Sequence, residues 1–137
     1  QVSVFSVLGD DQLQRIVDAA QATEHPVGET LTEQGVMGHR FHLLVEGAAV
    51  VERDGETIAR LGPGDFVGEL GLLGGGTSTA TVRCTEPTHC LSLRREAFWS
   101  LLEEEPAIAL RILEVVSRRL VDEFRPDHQT NMPRPAG

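Results

Sequence analysis

The spacing of glycines between residues 28 and 64 constrains this chain more than any other feature. Gly28, Gly35, Gly38, Gly47, Gly55, Gly62 and Gly64 divide that stretch into apolar segments too short for helices and long enough for strands. Strands at close, regular spacing between turn signals point to an antiparallel sandwich or barrel. Strand alternation places Phe41, Leu43 and Val45 on one face, with Arg40, His42 and Leu44 on the other. Asp54-Gly55, within Glu52–Thr57, reads as the turn of a hairpin. Further on, Ala80, Val82 and Cys84 form an inward face, and Thr79, Thr81 and Arg83 an outward one. Leu91 and Leu93 then resume the core.

On either side of this region the period is helical. Leu13, Ile16, Val17 and Ala20 follow helical spacing, with Asp10 placed to cap the start, and His25-Pro26-Val27-Gly28 stops the pattern. After residue 94, Phe98, Leu101 and Leu102 share a helix face, and Pro106 marks a break or a fresh helix start. Ile108, Ile112, Val116 and Leu120 form a second stripe that Leu113 and Phe124 widen. The expected architecture is one α+β domain over residues 1–124. It has a helix at 8–23, an antiparallel β-roll at 25–94 (jelly-roll-like, a double-stranded β-helix) and C-terminal helices at 95–124, with 125–137 a polar, proline-containing tail or linker.

Composition excludes several functions. The net charge is −9, from 12 basic and 21 acidic residues, so the chain is not expected to bind nucleic acid, whose phosphates demand Lys and Arg. No apolar run is long enough to span a membrane, and direct membrane insertion is not expected. Cys84 and Cys90 are too few for a disulfide framework or a zinc set, and both read as core thiols. His39 and His42 face opposite sides of a strand, and although His42 and Glu46 share one, two ligands make no site; no metal is expected. Glu103–Glu105 reads as a solvated helix end, and nothing resembles a nucleophile elbow, so no enzyme is expected. The chain begins with Gln1, which suggests a piece cut from a longer protein whose effector domain lies elsewhere.

One stretch asks for a ligand: Phe66-Val67-Gly68-Glu69-Leu70-Gly71-Leu72-Leu73-Gly74-Gly75-Gly76-Thr77-Ser78-Thr79-Ala80-Thr81-Val82. Glycines at 74–76 permit positive φ and close approach, and backbone N–H groups at a short helix start make an anion cradle. Together with Gly28, Leu31, Gln34-Gly35, Gly38, Phe41 and Gly47, and with the helices from Arg94 to Leu120, this stretch resembles a cyclic-nucleotide-binding domain over roughly residues 4–122. The resemblance implies a cytoplasmic regulatory module, without a cofactor, that takes cAMP or cGMP as ligand and signals through its C-terminal helix. It further implies that Gly68 and Leu70 offer backbone donors to the cyclic phosphate and that Glu69 holds the ribose 2′-hydroxyl.

The departures from that pattern matter. In the family an Arg, preceded by Pro, stands ten residues beyond the glycine and grips the phosphate; here Ser78 holds the place, Thr77 precedes it and Thr79 follows. His39 stands where the family commonly has Asp. Replacing an Arg–phosphate fork with a hydroxyl costs about 1.5–3 kcal/mol, or roughly 10- to 150-fold in affinity. Arg83 and Arg40 are the candidate substitutes. Glu69, Ser78 and Thr79 could instead serve only the turn, as an N-terminal acid and as hydroxyls satisfying backbone groups. Two readings stay open: a sensor binding cAMP or cGMP weakly if at all, or the same fold kept without nucleotide for protein interaction, including homodimer formation through the C-terminal helix.

Overall fold

A computed structural model of the chain describes residues 8–68 and 77–123. Helix α1 spans Asp10–Ala19. Eight strands follow: β1 Gln21–His25, β2 Thr30–Thr32, β3 Arg40–Glu46, β4 Ala49–Arg53, β5 Glu56–Leu61, β6 Phe66–Val67, β7 Thr81–Cys84 and β8 Thr88–Arg94. Helices α2, Arg95–Glu104, and α3, Pro106–Glu123, complete the described chain. The strands form two four-stranded sheets, in the orders β1-β8-β3-β6 and β2-β7-β4-β5. Every named strand pair is antiparallel, so the expected roll with flanking helices is what the chain builds.

The sheets enclose one apolar layer and the helices a second. Leu44, Ala49, Leu61, Val67, Val82 and Cys90 pack between the sheets, with Leu31 and Val51 against them. Phe41, Leu43, Phe66 and Leu93, on the other face of the first sheet, meet Ile16 of α1, Phe98 and Leu101 of α2 and Ile108, Ile112 and Val116 of α3. Phe41 stacks on Phe98 with ring centroids 4.9 Å apart. β3 is thus buried on both faces, while the chain through β7 alternates as expected, with Val82 and Cys84 inward and Ala80, just before the strand, buried as well.

The turn chemistry follows the sequence. Asp54 and Gly55 both take positive φ, 52° and 84°, as a two-residue hairpin turn of the primed type requires. Pro106 opens α3, where its missing N–H costs nothing. Glu103 and Glu104 are exposed at the end of α2, and Glu105 reaches Arg15 at 3.7 Å.

Four expectations change. The first helix ends at Ala19 rather than at residue 23, and Gln21–His25 is a strand instead, because its backbone pairs with β8 through all five residues. Gly9, not Asp10, caps α1, its N–H donating to Gln12 Oε1 at 3.0 Å. Val45 is exposed, because the β3–β8 register slips between Leu44 and Glu46. Leu113 is exposed at 56%, and Val115 takes its place beside Val116 in the core. Residues 1–7, Phe124 and the expected tail at 125–137 lie outside the described residues, as does the side chain of Leu120. Among the described residues no helix is long and apolar enough to cross a membrane.

Candidate functional site

Gly68 is positioned by the turn and strand that precede it and by its close approach to β3. The Gly62–Asp65 turn docks on β3, with Gly64 N–H donating to the Leu44 carbonyl (2.8 Å) and Leu44 N–H to the Asp65 carbonyl (2.9 Å). The Asp65 carboxylate accepts from Gly62 N–H at 2.8 Å and closes the turn. β6 then pairs with β3, Phe66 opposite Leu43 and Val67 opposite His42. This aims the chain across the start of β3, where Gly68 takes a φ of +94° and passes so near that an added Cβ would lie 2.2 Å from the Arg40 carbonyl oxygen. Only glycine fits such a crossing.

Ser78 and Thr79 return the chain to the second sheet. Ser78 is buried, and its backbone is fully used: its N–H donates to the Val36 carbonyl and its carbonyl accepts from Gly35 N–H, both at 2.9 Å. Met37 and Thr77 form a bridge just before it. Thr32 Oγ1 donates to the Ala80 carbonyl (3.0 Å), and Gln34 N–H to Thr81 Oγ1 (2.9 Å). Thr79 is exposed, and its carbonyl accepts from Arg53 Nε at 3.2 Å. Gln34 meanwhile holds the hairpin tip, its side-chain amide trading hydrogen bonds with Asp54 Oδ1 (2.8 Å) and Asp54 N–H (2.9 Å). The arm at 77–81 is therefore tied to the β2–β3 loop and to the β4–β5 hairpin.

Of the site residues expected from sequence, the structure describes Gly68, Ser78 and Thr79. Glu69, Leu70 and the glycines at 74–76 lie outside the described residues. Neither Arg considered from sequence turns to the cradle in the contacts seen: Arg83 pairs with Glu52 on β4, and Arg40 Nη1 reaches Gln21 Oε1 at 3.4 Å. Among the described residues Arg53 reaches the arm, a contact not expected from the sequence; the signal was its place one residue before the Asp54-Gly55 turn. His39 is exposed, and His42 and Glu46 part company, since His42 is buried while the Glu46 side chain is 76% exposed and 3.7 Å from His89.

Sequence and fold comparisons bear on the family and the fold. The Cyclic nucleotide-binding domain family matches residues 23–105, more than half of the chain. The chain is 29% identical over 122 residues to the Cyclic AMP receptor protein of Thermus thermophilus, covering 85% of this chain and 56% of that protein. It is also 29% identical over 128 residues to a cAMP-dependent protein kinase regulatory subunit of Hypocrea atroviridis, covering 93% of this chain and 28% of that one. Its fold is similar to the crystal structure of the Thermus thermophilus Catabolite Activator Protein, with a TM-score of 0.78 and 29% identity over 87% of this chain and 58% of that one. The chain spans little more than half of the first relative and little more than a quarter of the second. From its glycine-punctuated roll to the match at residues 23–105, the chain belongs to the cyclic-nucleotide-binding domain family.

Proposed function

We propose that this domain is a regulatory, non-catalytic sensor that binds cAMP or cGMP weakly, in the cradle between Gly68 and Ser78–Thr79. Gly68 and Leu70 supply backbone N–H groups to the cyclic phosphate, Glu69 accepts from the ribose 2′-hydroxyl, and the Ser78 and Thr79 hydroxyls add neutral hydrogen bonds. The observation that carries the reading is the placement of Arg53, whose guanidinium rests on the Thr79 carbonyl beside the position where the family pattern has its phosphate-gripping Arg. A guanidinium beside Thr79 gives an acidic protein local positive charge next to the candidate site. Because it comes from another strand and already holds a backbone carbonyl, it replaces the family Arg only in part. Titration calorimetry with cAMP and with cGMP tests the reading. The expected affinity is tens to hundreds of micromolar, on the basis of a loss of roughly 10- to 150-fold from a micromolar site. Absence of heat and of thermal shift at millimolar nucleotide overturns it.

A second reading adds self-association through α3, with cytoplasmic placement and an attached effector domain as its setting. It is favoured by the outer face of that helix, where Leu110 and Leu113 are 61% and 56% exposed while Ile108, Ile112, Val115 and Val116 face inward. Leu110 and Leu113 line a shallow groove with Ala107, Arg111, Glu114 and Ser117. A second copy of α3 offers the same apolar pair to this groove. Sedimentation at several concentrations tests it, and a strictly monomeric protein contradicts it.

A further inference from the structure

A buried polar cluster sits on the inner face of the first sheet, apart from the nucleotide cradle. Strand register assembles it: Cys90 lies opposite Thr23 on one side and Leu44 on the other, and Ser92 lies opposite His42. One ligating atom from each of His25, His42 and Cys90 lies within 4.8 Å of the other two. His42 and Cys90 are 6% and 2% exposed, and the His25 side chain 13%. Thr23 Oγ1 stands 2.8 Å from His25 Nε2 and 2.8 Å from Ser92 Oγ, which in turn stands 2.8 Å from His42 Nδ1. Behind His25, the Glu29 carboxylate is bonded to Nδ1.

We propose that His25, His42 and Cys90 bind one transition cation of the Zn2+ class, with a water or a neighbouring hydroxyl as the fourth ligand. Two imidazoles and a thiolate are a donor set that zinc favours over magnesium or calcium. The Glu29–His25 contact is the carboxylate–imidazole arrangement that orients metal-bound histidines, leaving Nε2 turned to the cluster. Bonds of about 2.0–2.3 Å in a tetrahedral site put donors about 3.3–3.7 Å apart. Closing from the present separation takes about one ångström of side-chain rotation, with Thr23 and Ser92 hydroxyls leaving the two nitrogens. On binding, the Cys90 S–H bond breaks, its proton passes to solvent and the sulfur electron pair forms the metal bond. The imidazoles bind through their lone pairs as neutral bases. Of the three residues His25 lies nearest to solvent, beside Glu29, whose side chain is 44% exposed.

The test uses the full chain, stripped with a chelator and free of nucleotide, so its outcome is independent of the cradle. Titration with Co2+ is expected to saturate at one equivalent, with a thiolate-to-cobalt charge-transfer band and intense tetrahedral visible bands, and Zn2+ should bleach both. Cys90→Ala should abolish the charge-transfer band, whereas Cys84→Ala should keep it. Should Cys90→Ala fail to fold by circular dichroism, His25→Gln, at the more exposed edge, serves in its place and should weaken Co2+ binding at least tenfold. No Co2+ uptake at millimolar concentration, a charge-transfer band surviving in folded Cys90→Ala, or unchanged Co2+ affinity in His25→Gln overturns the proposal.

Discussion

Gly68 crosses β3 at the Arg40 carbonyl, with room for a hydrogen and not for a methyl group: an added Cβ would lie 2.2 Å from the carbonyl oxygen and 3.2 Å from its carbon. Neither neighbour is a flexible side-chain tip, and both belong to a strand paired on two sides. Gly68→Ala therefore meets steric overlap as well as an unfavourable positive φ. The expected loss is about 3 kcal/mol or more of unfolding free energy, read by urea denaturation. A variant within about 0.5 kcal/mol of the parent would show that the crossing has room to relax. Gly47→Ala, with an added Cβ 2.5 Å from the Pro87 carbonyl, should behave alike.

Arg53 ties the end of β4 to the arm at 77–81, its Nε donating to the Thr79 carbonyl at 3.2 Å. Arg53→Met should lower cAMP or cGMP affinity by about tenfold, the weight of one charge-assisted contact. Calorimetry checks this, with thermal melting confirming that the variant is folded, and an unchanged affinity contradicts it.

His42 gives the metal-free protein a pH dependence. Burial, the nearby His25 and Arg40 all lower its pKa from the ordinary 6.5 to about 4. Between those values the unfolded chain binds a proton that the folded chain refuses. Stability from this group is therefore complete above about pH 6.5 and falls as pH drops toward 4, by about 3 kcal/mol in all. Urea melts between pH 7 and 4.5 should show His42→Gln losing that part of the slope.

Leu113 tests the outer face of α3. Leu113→Glu replaces a side chain that is 56% exposed, so folding should change by no more than about 0.5 kcal/mol. If two copies meet along α3, the same substitution shifts sedimentation from dimer to monomer.

Much of the roll was readable because glycine and hairpin chemistry are local. Asp54-Gly55 demanded its turn, and the alternation at 79–84 fixed which of Ala80, Val82 and Cys84 face inward. β1 was not readable: the spacing of Leu13, Ile16 and Ala20 runs on toward residues 21–24, and only pairing with β8 makes those a strand. Val45 was misplaced because a register slip leaves no mark in alternation. Leu113 was misplaced because a helical stripe does not say where its edge meets solvent. Arg53, and the meeting of His25, His42 and Cys90, depend on contacts between segments distant in sequence, which spacing cannot encode.

The central claim is that the cradle lacks only a well-placed cation. The direct measurement is calorimetric titration of Ser78→Arg beside the unaltered protein with cAMP and cGMP, thermal melting confirming that both are folded. The claim predicts a gain of about tenfold or more for at least one nucleotide, the worth of a guanidinium–phosphate contact. A folded Ser78→Arg protein with no gain for either nucleotide contradicts it.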